Sequence, residues 1–124
     1  MSAKEFLDRI KTMDLEIDNQ QAELDRLEAL ASRITSDTMP VAVLEMRKEI
    51  NDKIDELVNL KREARAKIEQ LKNPKHRIVL GYYYLCNMTM EQVADRTGRD
   101  LRSIYRLRDR VLDNLCGWGN DYDK

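Results

Sequence analysis

The chain has 124 residues, 36% of them charged, with 4 glycines, 2 prolines and a formal net charge of −1. That length allows one small domain or one domain with an extension, and the shortage of turn formers favours helices over sheet. The near-neutral total excludes a uniformly basic surface but conceals a split. Residues 1–73 carry 13 basic and 16 acidic side chains, residues 74–124 carry 9 basic and 7 acidic, and five of those nine bases lie between Arg99 and Arg110. Positive charge is therefore local, where neutralising phosphates would need it.

The N-terminal Met-Ser-Ala-Lys-Glu has no apolar run behind a basic flank, and no stretch approaches the ~18 apolar residues of a membrane span. No export signal or membrane partner is expected, and the cytoplasm is the expected location. Residues 3 to 35 are expected to form one long helix. Phe6, Ile10, Met13, Ile17, Gln20, Leu24, Leu27, Ala31 and Ile34 recur at alternating steps of four and three, a heptad seam with one polar interruption. Thr35-Ser36-Asp37-Thr38-Met39-Pro40 breaks it, because proline disfavours helix at the residue before it.

A second long helix is predicted from Pro40 or Val41 to Leu71, with Val43, Met46, Ile50, Ile54, Leu57, Leu60, Ala64, Ile68 and Leu71 on its apolar side. The short link predicts antiparallel neighbours, a coiled-coil hairpin over 1–73. Leu7, Leu15, Leu30, Leu44 and Val58 flank the two seams and give more apolar surface than one antiparallel pair hides. The expectation is self-association, a homodimer in the first instance, with Gln20 and Lys61 setting register.

Asn73-Pro74 marks the next start, Asn73 as N-cap and Pro74 at the first helical position. The helix to Cys86 turns Ile78, Val79, Tyr82 and Leu85 toward the C-terminal part of the chain. Tyr82, Tyr83 and Tyr84 leave a helix in three directions, so they read as core and flank rather than as a base-stacking platform. Cys86 and Cys116 stand 30 positions apart with no CxxC, beside a single histidine, His76. No zinc site or disulfide framework is indicated, and both cysteines are expected to be small buried hydrophobes. With no Gly-rich phosphate loop and no nucleophile and base to pair, neither catalytic residues nor a cofactor are expected.

Asn87 to Leu115 reads as two short helices joined by a tight turn. Thr89 and Gln92 form a capping box, and Met90, Val93 and Ala94 an apolar stripe. Gly98 sits where the chain must reverse, and Asp100 is the expected N-cap of the second helix. Leu101, Ile104, Leu107, Val111, Leu112 and Leu115 keep to one side of that helix. Arg102, Ser103, Tyr105, Arg106 and Arg108 are left for a partner. This is the pattern of a helix-turn-helix, which places one helix in the DNA major groove. Residues 74–124 would then be a three-helix domain with a core marginal for its size. Gly117 and Gly119 would end the last helix, Trp118 would cover the core, and the tail from Asn120 would fray.

Met88-Thr89-Met90-Glu91-Gln92-Val93-Ala94, joined without a gap to Ile104, Leu107, Val111, Leu112 and Leu115, resembles region 4 of the sigma-70 family. The resemblance implies base-edge contacts from Arg102, Ser103, Tyr105 and Arg106. Leu101 departs from the polar residue common there. Arg99, Arg108 and Arg110 are the expected phosphate contacts. Together with Asn-Pro before a Tyr-rich helix, Ser2-Ala3-Lys4-Glu5-Phe6-Leu7 and the stretch from Ile54 to Lys61, nearly the whole chain resembles the DUF1492 or ArpU-like regulators of phages and prophages of Gram-positive bacteria. What the resemblance implies is an all-α, sequence-specific regulator of late phage transcription that binds double-stranded DNA. Two rivals stand beside it: a sigma-like module that binds RNA polymerase, and a DNA-packaging protein like the phage terminase small subunit.

Overall fold

Long uninterrupted heptad patterns without internal Gly or Pro give long helices, and the computed structural model, which describes residues 2–34 and 38–115, has two of them. They are α1 (Ala3–Ile34) and α2 (Val41–Glu69); three shorter helices come after them, α3 (Pro74–Leu80), α4 (Met90–Thr97) and α5 (Leu101–Asp113). No strand occurs among the described residues. Ser2 starts α1 by accepting a hydrogen bond from the Glu5 N–H. Pro40 precedes α2 without a side-chain cap, and only its carbonyl serves the first turn, accepting from the Val43 and Leu44 amides.

The two long helices lie side by side and run in opposite directions. Asp14 pairs with Lys61 at 2.6 Å, Gln20 with Lys53 at 2.9 Å and Glu28 with Arg47 at 3.3 Å, so along these three pairs the partners on α2 descend as positions on α1 rise. The seam between them holds Phe6, Ile10, Ile17, Leu24, Val43, Ile50, Leu57 and Ala64, all buried. Ile34, expected to continue the seam, is instead 84% exposed at the last turn of α1.

Leu7, expected as surplus surface on the hairpin, is fully buried. It belongs to a cluster that also takes Leu80 and Tyr84 from beyond α3's start and Val111 and Leu115 from the C-terminal end of the described residues. A smaller cluster, Val79, Met90, Val93, Ala94 and Ile104, joins α3, α4 and α5 to one another. Leu15, Leu44 and Val58 stay exposed.

The helix predicted over 74–86 is present only in part. After α3 the backbone widens into a π-helical turn, Gly81–Leu85, in which the Cys86 amide bonds back five residues to the Gly81 carbonyl at 3.0 Å. The widening corrects one expectation about side chains. In a continuous α-helix position 86 would return to the face of Val79 about two turns on; the wider turn breaks that alignment and Cys86 is exposed. Ile78 is exposed as well, because Val79 and Leu80 take the two inward directions, one to each cluster. The expectations for Cys116, Gly117, Trp118, Gly119 and the tail lie outside the described residues.

Candidate nucleic-acid interface

The α3–α4 connection is fastened by the hairpin. Asn87 takes a left-handed conformation, φ 54°, and lets the chain turn. The Lys11 ammonium on α1 donates to the Tyr83 carbonyl (3.0 Å), the Met88 carbonyl (3.0 Å) and Asn87 Oδ1 (3.2 Å), and it lies 4.0 Å from the centre of the Tyr83 ring. From α2, Lys61 donates to the Leu85 carbonyl at 2.8 Å. A cation at the carbonyl end of a helix is favourable both as a donor and as a charge. Burial holds the Lys11 amine below its ordinary range, against the pull of Asp14 and Asp8. Tyr84, stacked edge-on against Tyr83, donates to Asp8 at 3.3 Å, and its phenol is pushed well above the ordinary value by burial first and by Asp8 second.

From this base the α4–α5 corner keeps closely to the sequence pattern. Thr89 Oγ1 accepts from the Gln92 amide (3.2 Å) while Gln92 Oε1 accepts from the Thr89 amide (2.8 Å), a complete capping box. Gly98 ends α4 at φ 69°, and the Arg99 amide bonds to the Ala94 carbonyl at 3.1 Å. Asp100 precedes α5 in the extended conformation of an N-cap, but its side chain makes no capping hydrogen bond. It accepts instead from the Ser103 hydroxyl. That bond is the first cause holding the Asp100 carboxyl below its ordinary pKa.

The expected site residues separate into three groups. Arg102, Arg106 and Arg110 are exposed on the side of α5 opposite Ile104 and Val111, which are buried. Their spacing of four puts them in one row along the helix. None of the three pairs with a carboxylate among the described residues. Ser103 borders the row but is engaged by Asp100.

Tyr105 and Arg108 form the second group, on the flank of α5. The Arg108 guanidinium lies 5.4 Å from the Tyr83 ring centre and 5.2 Å from that of Tyr105, and it bonds to Asp109 at 2.9 Å and 3.1 Å. Burial works against its charge, and Asp109 outweighs that, so the pKa is raised. Arg108 is thus committed to packing α5 against the tyrosines. Leu101, expected on the apolar side, is 37% exposed on the first turn, past the end of the cluster that Ile104 fills.

Arg99 is the third group. It lines a cleft of about 280 Å³ together with Lys75, Ile78, Val79, Tyr82, Arg96 and Thr97. The Arg96 guanidinium lies 6.0 Å from the centre of the Tyr82 ring. Nothing in the sequence pattern singles out Lys75, Arg96 or Lys11. Lys75 and Arg96 stand 21 positions apart in the chain and come to one cleft only through the cluster in which Val79 of α3 meets Met90, Val93 and Ala94 of α4 and Ile104 of α5. Among the described residues no three of His, Cys, Asp or Glu come together to hold a metal ion, and no helix is long and apolar enough to cross a membrane.

Fold and surface together define an all-helical protein with a long helical pair and a smaller C-terminal helical unit built on its base. Residues 25–115 match the family described as "Protein of unknown function (DUF1492)", and the chain belongs to that family. No curated protein and no solved structure matches it.

Proposed function

We propose that the protein is a sequence-specific, double-stranded DNA-binding transcription regulator of phage or prophage late genes, with α4 and α5 as a sigma-70 region 4-like helix-turn-helix. The observation that carries this reading is the row Arg102, Arg106 and Arg110, exposed and without a carboxylate partner among the described residues, on a helix that begins just past a sharp corner at Gly98. Arg102 and Arg106, near the start of α5, are assigned to base edges, where an arginine bonds guanine through two donors. Tyr105 adds apolar contact at the flank. Arg110 and Arg99 are assigned to phosphates.

In the same reading α1 and α2 form a coiled-coil hairpin that pairs two copies in the cytoplasm, with Leu15, Leu44 and Val58 as its uncovered apolar side chains. Twofold symmetry would present two copies of α5 to half-sites about one helical turn apart.

Selection of bound fragments from random duplex DNA tests the proposal. The expected outcome is one enriched motif with twofold symmetry. Arg106→Ala should then lose about tenfold or more in affinity for that motif and relax the preference at one base pair. Arg110→Ala should weaken every sequence equally and lower the salt slope by about one. Absence of any enriched motif, together with no band shift on any duplex, would refute it.

A further inference from the structure

The cleft at the corner between α3 and the α4–α5 turn is left over when α5 has been assigned to the bases. We propose that Lys75, Arg96 and Arg99 grip the sugar–phosphate backbone of the same duplex, alongside the bases read by α5. The inference rests on the DNA-binding reading above. Three cations reach this cleft from three separate elements: Lys75 from the first turn of α3, Arg96 from the end of α4 and Arg99 from the turn after it. No carboxylate lines it.

Elsewhere in the molecule Lys4, Arg9, Arg47, Lys61 and Arg108 each pair with an acidic neighbour. Lys75, Arg96 and Arg99 have no acidic partner among the described residues. Gathering like charges without a counter-charge raises the electrostatic energy of the free protein, and an anion in the cleft relieves it.

The walls suit a backbone better than a free nucleotide. Tyr82 and the exposed Ile78 offer apolar surface to a deoxyribose. The Thr97 hydroxyl already donates to the Val93 carbonyl at 2.8 Å, which leaves it no free hydrogen for a base edge. The Arg96 guanidinium lies 6.0 Å from the centre of the Tyr82 ring, a weak cation–π contact. Arg99 immediately precedes Asp100, the N-cap residue of α5. The cleft therefore opens beside the recognition helix's N-terminus, where a strand flanking the major groove passes.

The test is fluorescence anisotropy of the full chain with a selected duplex and a scrambled one, from about 50 to 200 mM salt. Lys75→Ala and Arg96→Gln are each expected to weaken both duplexes by the same factor, about five- to tenfold, and to flatten the salt slope by about one. Thermal unfolding checks that the fold is kept. Should Arg96→Gln unfold the chain, Lys75→Ala, on an exposed first turn, still decides the matter.

Wild-type affinity and salt slope in Lys75→Ala, alongside loss of sequence preference in Arg106→Ala, would overturn the cleft assignment and leave the base-reading helix standing. Binding of inorganic phosphate or a mononucleotide that depends on Lys75, with duplex affinity unchanged by its loss, would overturn it in favour of a small ligand. If the wild-type chain binds neither duplex, both proposals fail together.

Discussion

Removing the Lys11 ammonium while keeping its stem, as Lys11→Met does, tests whether the hairpin holds the C-terminal unit in place. One charge serves three acceptors and one ring in the wild-type chain. Each bond from a charged donor is worth about 1.5–3 kcal/mol net, and the ring contact adds about 0.5–1 kcal/mol. These do not sum, because water reaches the half-buried carbonyls once the lysine is gone and because burial already opposes the charge. The expected destabilisation is therefore about 1–2 kcal/mol. At the usual unfolding entropy per residue, a chain of this length would lose about 4–8 °C in Tm. Circular dichroism melts of both proteins measure that loss. Hydrogen exchange at the Met88 amide, which bonds to the Tyr82 carbonyl at 3.1 Å, shows whether it is felt at the α3–α4 connection. A Tm change under about 1 °C with unchanged exchange at Met88 would refute the clamp.

Leu7→Ala should cost about 3 kcal/mol, since the side chain is fully buried where the hairpin meets Leu80 and Tyr84; a cost below about 1 kcal/mol in urea unfolding would mean that this junction is loosely packed. Gly98→Ala should cost only about 1 kcal/mol, from the left-handed backbone alone, because an added Cβ meets nothing within 4 Å. A cost above about 3 kcal/mol in the same assay would reveal a steric restraint that the corner does not show. Asp100 should titrate by NMR below the ordinary aspartate value of 3.8 and return toward it in Ser103→Ala. The lowered carboxyl favours the folded state above 3.8, and that contribution disappears as pH falls through the folded value. An unchanged titration in the variant would remove Ser103 as the cause.

What is legible in the sequence is what local chemistry decides. The lengths of α1 and α2 come from seams without a breaker, and Asn73-Pro74, Thr89 with Gln92, and Gly98 each do in the structure what their chemistry requires. The same holds for the row of α5 arginines, because Ile104 and Val111 occupy the opposite side. What is illegible depends on groups far apart in the chain. Lys11 looks like one more solvated charge on a heptad helix until Tyr83, Asn87 and Met88 come to it across more than seventy positions. Leu7 looks like surplus because a heptad pattern shows that a helix has a partner and not how many. Asp100 has the sequence position of a backbone cap and bonds Ser103 instead, a choice between two nearby donors that spacing leaves open.

The placement of α5 is decided by how its two halves are anchored. Ile104, in its first half, packs with Val79, Met90, Val93 and Ala94, whereas Val111, in its second half, packs with Leu7, Leu80 and Tyr84 in the cluster shared with the hairpin. A helical unit of about 40 residues buries too little surface to be firm by itself. The second anchor supplies what the first lacks, and Lys11 and Lys61 reinforce it at the π turn. Only a few residues separate the end of α2 at Glu69 from Pro74, and Arg77 donates back across them to the Leu71 and Lys72 carbonyls. The arginine row is thus presented at a fixed angle to the hairpin and not from a tether. Under the dimer reading, the distance between two such rows is set by how the hairpins pair. A chain built this way would tolerate little variation in half-site spacing, since one added base pair rotates a half-site by about a tenth of a turn and no flexible linker absorbs the change.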